Sequence, residues 1–287
     1  MNLRTPSRTA SRSASRAGTL RALQDGFGDL GRSGIRSSIG WSAGWWHVVR
    51  VGALIVVLAL SPSTYTRENR RALAGHIVLD TAPLIPWFAL LAALISLVII
   101  RIVVVTAVSY GLTQYALEMV IRTLVLELIP LTAALFVALR STVPAGSVLV
   151  RMHRRGEFEA LQRAGLDPLR HELLPRVVAG IFGVLLLAAI SCAIATLLAY
   201  LAIYGFTLGG LGGFTRTMGQ VFNPGVALIF AIKTLLFSLA VALIPVAAFL
   251  RGRVPGASRS SPELESLVRL FAAILLIEVA SLMGNYY

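Results

Sequence analysis

The chain is poor in charge, in cysteine and in lysine, and each shortage excludes something. Only 14% of its 287 residues are charged, against about a quarter in a soluble domain, too few to cover an ordinary globular core with polar surface. The one cysteine, Cys192, lies inside an apolar run. It rules out a disulfide framework and reads as a small buried residue. Lys233 is the only lysine, and it too lies in an apolar run, so every other basic residue is arginine. No G-x-x-x-x-G-K-[ST] pattern occurs, so this chain carries no phosphate-binding loop of that type. "GGLGG" at 209–213 lacks the following lysine and reads as a flexible loop. The histidines His47, His76, His153 and His171 are scattered without carboxylates at ligand spacing, which argues against a metal site. No nucleophile–base constellation stands out, and nothing points to an enzyme. Segments of about ten residues with alternating polarity are missing, which excludes a transmembrane β-barrel.

What is present is apolar. Hydrophobic residues make up 56% of the chain and the mean hydropathy is +0.79. Several runs exceed the roughly 18 apolar residues that mark a spanning helix. The expected fold is an all-α polytopic membrane protein with spans near 84–109, 116–140, 174–204, 224–250 and 264–286. The net charge of +13 is not a nucleic-acid signature, because most arginines fall in the N-terminal tail and in short loops, the pattern of the positive-inside rule. Residues 1–40, rich in Arg, Ser, Thr, Ala and Gly with no acid before Asp25, cannot bury a core and read as a disordered basic tail, suited to contact with anionic headgroups. The same composition fits an organelle transit peptide.

The segment 41–62 has an uncharged run too short for an ordinary span, a Trp cluster (Trp41, Trp45, Trp46) and basic residues on both flanks. It reads as an interfacial or re-entrant helix that begins a membrane domain over 41–287. Arg151, Arg154, Arg155, Arg163 and Arg170 crowd the 141–173 loop, and Arg251, Arg253 and Arg259 the 251–263 loop, whereas 205–223 holds only Arg216. That bias places the N-terminus and both Arg-rich loops inside and the C-terminus outside.

Between the second and third spans lies "RRGEFEALQRAGLDPLRHELLPR", residues 154–176. Phe158, Leu161 and Gly165 fall on one helical face, with Glu157, Glu159, Gln162 and Arg163 around the rest. Gly165 suits a helix C-terminus; Asp167 and Pro168 suit the N-cap and first position of a second helix. A helix held at both ends by spans can pass a push from a cytosolic partner into the membrane. A helix lying on the headgroups fits the same pattern.

Four ionisable residues sit inside apolar runs: Arg101, Glu127, Lys233 and Glu278. Counted at 1.5 Å per residue, each lies roughly 12 to 17 Å from the outer end of its span. Such groups pair or line a wet cavity, so they read as a polar layer accepting a lipid headgroup, or as structural ion pairs. Glu118 and Arg122, at i and i+4, read as a local pair. Pro130 and Pro245 lie inside spans and are expected to kink them.

The run from Leu126 to Gly180 resembles the signature region of the MlaE (YrbE-type) permease family. Glu127, Leu128 and Pro130 match its first element and Arg140 its second. Ala160, Leu161, Leu166, Asp167, Pro168, Leu169 and Arg170 match the third, and Pro175-Arg176 the last. Tyr110-Gly111 and Tyr115 upstream, and Lys233 and Phe237 downstream, resemble further family positions. The sequence departs from the pattern at Leu126, Ile129, Leu139 and Val148, in its C-terminal "ASRSSPELESLVRLF", and at Glu278, where the family carries Asp.

The resemblance implies the transmembrane permease subunit of an ATP-binding cassette transporter that moves phospholipid or a related lipid. It implies a bacterial inner-membrane location, with the N-terminus cytoplasmic and the C-terminus periplasmic. A separate ATPase subunit would bind ATP and Mg, this chain holding no cofactor, and would meet the insert through Glu157, Phe158, Leu161, Gly165, Asp167, Pro168 and Arg170. Further partners would be an MCE-domain periplasmic protein and a second permease copy, as a homodimer. Two other functions remain compatible with the residues: an ion-coupled secondary transporter using the four buried charges, and a non-transporting membrane scaffold.

Overall fold

The computed structural model describes residues 45–55, 57, 75, 77–78, 81–165, 167–252 and 262–286. The chain divides into two compact units, Met1–Arg50 and Val51–Tyr287, and the second carries the architecture below. The expected disordered tail over 1–40 lies outside the described residues. Of the expected interfacial segment, residues 45–55 are helical, and the remainder lies outside the described residues apart from Val57.

Among the described residues the second unit is all-helical. Five helical runs are long and apolar enough to cross a membrane: Leu84–Ser109, Thr113–Arg154, Leu169–Tyr204, Pro224–Leu250 and Ser266–Asn285. We label the elements α1 (Leu84–Ser109), α2 (Thr113–Arg154), α3 (Glu157–Arg163), α4 (Leu169–Tyr204), α5 (Leu211–Val221), α6 (Pro224–Gly252) and α7 (Pro262–Tyr286). The spans stand where the hydropathy places them. Two connections differ. The segment after residue 140 is not yet a loop, because α2 continues to Arg154. The expected flexible loop at 209–213 is not one either: a tight helical turn over Leu208–Gly210 leads into α5, whose Phe214 and Met218 pack on the apolar cluster around Val221 and Val226.

The spans are unequal in burial. In α2 61% of the apolar window is buried, in α1 only 22%, so α2 forms the centre of the bundle and α1 its rim. Helix α6 packs most extensively against α7, and about equally against α2 and α4. Small residues let these helices approach, as packing inside a membrane requires. A Cβ added at Gly180 of α4 would lie 3.0 Å from Thr142 Cγ2 and 3.3 Å from Ala242 Cβ, so three helices meet there.

Proline organises α2 and the start of α4 in a regular way. Wide π turns run over Ile121–Leu128, Ala138–Thr142 and Leu169–Leu173, and each ends two residues before a proline: Pro130, Pro144 and Pro175. A proline ring clashes with the carbonyl four residues back and offers that carbonyl no N–H; a preceding wide turn shifts the hydrogen-bond register and relieves the conflict. Pro245, by contrast, sits within α6 with no such turn before it. It lies against Gly146, where a Cβ would come within 3.5 Å of the Pro245 ring.

Gly180→Leu should therefore overpack the α2–α4–α6 junction. Overpacking of this kind costs about 1 to 3 kcal/mol, and it should appear as a lowered unfolding temperature of the purified protein in detergent, with Gly180→Ala intermediate between the two.

Candidate functional site

Lys233 is the centre of the site. It stands in the middle of α6, nine residues after Pro224, with its side chain 1% exposed. An unpartnered ammonium in the bilayer core is costly by several kcal/mol at least. Two carboxylates and a backbone carbonyl surround it. The Glu127 carboxylate of α2 forms a direct ion pair through Oε2. Glu278 Oε2 of α7 lies 2.9 Å away, and the backbone carbonyl of Leu126 accepts at 3.3 Å. The ring of Phe237, one helical turn on, has its centroid 5.8 Å from Nζ.

The backbone of α2 explains why a carbonyl is free to help. At the end of the first wide turn the Ile129 amide bonds to Leu124, five residues back, rather than to Val125. The next residue, Pro130, has no amide hydrogen to give to Leu126. Two successive carbonyls thus lose their ordinary α-helical donors. Both are taken up by other spans: Leu126 O by Lys233, and Val125 O by the Cys192 thiol of α4 at 3.7 Å. Pro130, expected as a kink, acts here by presenting acceptors.

Around this core α7 supplies a polar stripe. Glu278, Ser281 and Asn285 fall at i, i+3 and i+7, which places them on one face. Asn285 Nδ2 donates to Glu127 Oε1 at 3.4 Å. The Ser281 hydroxyl and Asn285 Oδ1 are buried without hydrogen-bond partners, so the site retains unused polar capacity. The carboxylates, 12% and 13% exposed, are the parts of the cluster that solvent or a ligand reaches first.

Of the four intramembrane charges expected in one layer, three meet. Arg101 does not: it is exposed on α1 and forms no ion pair among the described residues. The buried face of α1 runs through Phe88, Ala92, Ser96 and Ile100, and Arg101, about 100° further round, points off it. Depth alone does not bring groups together. The pairing of Glu118 with Arg122 holds, Nε to Oε1 at 2.9 Å. Sequence reasoning passed over Ser281, Asn285, the Leu126 carbonyl and Arg269, which is 3% exposed. The i, i+3, i+7 spacing from Glu278 was the legible signal for the first two.

The insert between the second and third spans also differs from expectation in one respect. Gly156 (φ +72°) starts α3 and Gly165 (φ +79°) follows its end, both in the left-handed region that favours glycine. Asp167 takes the N-cap position: its Oδ1 accepts from Leu169 N at 3.1 Å, its carbonyl accepts from His171 N at 3.0 Å, and Arg170 Nε lies 3.6 Å from Oδ2. Pro168 is buried as the first helical residue. Phe158, however, is not offered to a partner. It is 2% exposed, stacked on Phe249 of α6 at 5.8 Å with His153 edge-on at 6.1 Å. The chain's own core claims the largest apolar group of α3. Leu161 is half-buried, and Glu159, Ala160, Gln162 and Arg163 form the exposed face. Glu157, half-buried, lies 3.8 Å from Arg155. Val51, Leu54 and Ile55 line an apolar cavity of about 300 Å³ whose other walls include Phe158, Pro168 and Leu250.

A helical bundle with a buried charge cluster and a short helix keyed into one of its spans is the layout of a transporter's membrane subunit. The family model described as Permease MlaE matches residues 73–283, and the chain belongs to that family. It is a multi-pass permease component of an ABC-type lipid transporter. No curated protein matches the chain.

The geometry predicts strong coupling within the cluster. Lys233→Met leaves two buried carboxylates without a counter-charge, and breaking a buried pair costs about 3 to 5 kcal/mol. Adding Glu278→Gln removes one stranded charge and should restore part of that loss, so thermal denaturation of the two single variants and the double variant should be non-additive.

Proposed function

We propose that this chain is the ATP-coupled element through which phospholipid or a related lipid is moved. In this reading a separate ATPase acts on α3 from the cytoplasmic side, and the Glu127–Lys233–Glu278 cluster is the polar station on the lipid's path. An MCE-type lipid carrier would meet the opposite side, and the unit would work as a pair of permease copies. The arginine bias of the connections supports a cytoplasmic N-terminus and a periplasmic C-terminus.

The observation that carries the reading is the route between α3 and the cluster. Phe158 of α3 stacks on Phe249 of α6, and α6 is also the helix that bears Lys233. Sixteen residues separate Phe249 from Lys233, about 24 Å along one continuous helix. A tilt of α3 is therefore transmitted to the helix that holds the lysine between its two carboxylates. Packed elements pass on such displacements as discrete rearrangements rather than gradual bending.

With Phe158 committed internally, the ATPase is expected on the exposed face of Glu159, Ala160, Gln162 and Arg163. Ala160→Trp adds bulk on that face and touches nothing in the bundle. The variant should insert and fold at normal yield, lose the co-purifying ATPase, and lose lipid transport in vesicles. Full recovery of the ATPase with Ala160→Trp would refute the coupling role of α3.

A second reading, ion-coupled transport, rests on the two carboxylates held by one ammonium, a set whose charge changes with one proton. Its mark would be lipid movement in vesicles driven by a proton gradient with no ATPase present. An ATP requirement that no gradient replaces would exclude it.

A further inference from the structure

A second cavity, of about 710 Å³, opens far from the Lys233 cluster, between the start of α1, the later half of α2 and the start of α4. Its walls include Leu84, Trp87 and Phe136 on the apolar side and Arg140, Ser141 and Arg176 on the polar side. Its level follows from length. Arg140 lies 24 residues after Ala116, about 36 Å along α2, just past the roughly 30 Å of a hydrocarbon core. Glu127 lies about 20 Å back from it. Trp87, three residues into α1, is 73% exposed, the placing of an interfacial aromatic. The cavity thus opens at headgroup height, on the side that carries Arg151, Arg154 and Arg155.

Its charge is unbalanced. Arg176 is satisfied in part by Glu172 at 2.8 Å and by Met152 Sδ at 3.6 Å, but its Nε is buried with no hydrogen-bond partner. Arg140 is exposed and forms no ion pair among the described residues. One guanidinium therefore stands in excess beside an unused donor and a serine hydroxyl, with an apolar wall of tryptophan and phenylalanine alongside. Guanidinium groups suit phosphate oxygens because their planar fork donates two parallel hydrogen bonds. Basic pockets between spans, next to an aromatic surface, are suited to anionic lipid headgroups.

We propose that this cavity holds the phosphate-bearing headgroup of an anionic glycerophospholipid, with Arg140 as its principal contact, Arg176 and Ser141 beside it, and the first part of an acyl chain against Trp87 and Phe136. It is a station separate from the Lys233 cluster and about 20 Å from Glu127. Taking the bound lipid as cargo rests on the permease reading above; the binding site itself does not.

Trp87 is a built-in reporter. In a full-length variant with Trp41, Trp45 and Trp46 changed to Phe, Trp87 is the remaining tryptophan. Reconstituted into vesicles, its fluorescence should be quenched more by brominated phosphatidylglycerol than by brominated phosphatidylcholine at equal content. Arg140→Gln should reduce that preference about fivefold, while Arg140→Lys retains part of it. Unfolding temperature serves as the control that Arg140→Gln still folds. Equal quenching by the two lipids, or a preference untouched by Arg140→Gln, overturns the site. Loss of the preference on adding glycerol phosphate to the buffer would show a soluble phosphate as the occupant and overturn the lipid assignment. Wild-type transport with no preference at Trp87 removes this site and leaves the permease reading intact; a preference at Trp87 without any lipid transport does the reverse.

Discussion

The constraint on which the structure turns is the cost of keeping one ammonium dry. Lys233 has nowhere to snorkel: its side chain is 1% exposed and sits mid-span. Its ammonium faces two carboxylates, a carbonyl and an aromatic ring. These partners come from three helices, so the site and the packing of α2, α6 and α7 are one problem. The wide turn before Pro130 belongs to the same solution. An unbroken α-helix would have spent the Leu126 carbonyl on its own backbone.

This explains how the second span can be both the most buried and the least regular of the five. An irregular backbone inside a membrane survives only where protein or a polar cavity satisfies it. The centre of the bundle meets that condition for α2; the lipid-exposed rim does not. Helix α1, with most of its surface exposed, is accordingly an uninterrupted α-helix from Leu84 to Ser109. The same reasoning accounts for the wide turn over Leu169–Leu173, where Leu173 and Leu174 are buried and Asp167 caps the chain's re-entry.

How much of this could be read from residues alone depended on range. The spans, the N-cap at Asp167, the helix-ending Gly165 and the Glu118–Arg122 pair are all local, fixed by composition, periodicity and spacing within a few residues. They stand where expected. The contact of Glu127, Lys233 and Glu278 was also foreseeable, because charges in hydrocarbon commonly pair. The position of Arg101 was not, since depth along a span says nothing about direction around it. Phe158 failed for a different reason. An apolar face at helical spacing shows that something will be covered, not whether the cover is a partner or Phe249 of the same chain.

The burial of Phe158 changes the mechanics expected of α3. Had its phenylalanine been a plug for a partner's groove, α3 would be a handle, loosely tied to the bundle until gripped. Stacked instead on Phe249 with His153 at its edge, it is a key already seated in α6, and the polar residues of its outer face are what remain for a partner. Beneath that contact, Pro245 rests on Gly146, in the stretch of α6 between Phe249 and Lys233. Pro245 leaves the carbonyl four residues before it, that of Val241, without its usual donor, which makes this part of α6 the most compliant along the route. A displacement of α3 is then taken up either as a bend at Pro245, which leaves the cluster intact, or as a shift of the whole helix, which pulls Lys233 away from Glu127 and Glu278. Gly146 leaves space beside Pro245: even an added Cβ would lie at an ordinary contact distance, 3.5 Å, from the proline ring, so nothing at that contact blocks the bend. Which of the two occurs rests on how firmly α4 and α7, packed along α6, hold it, and that decides whether the lysine changes partners when α3 moves.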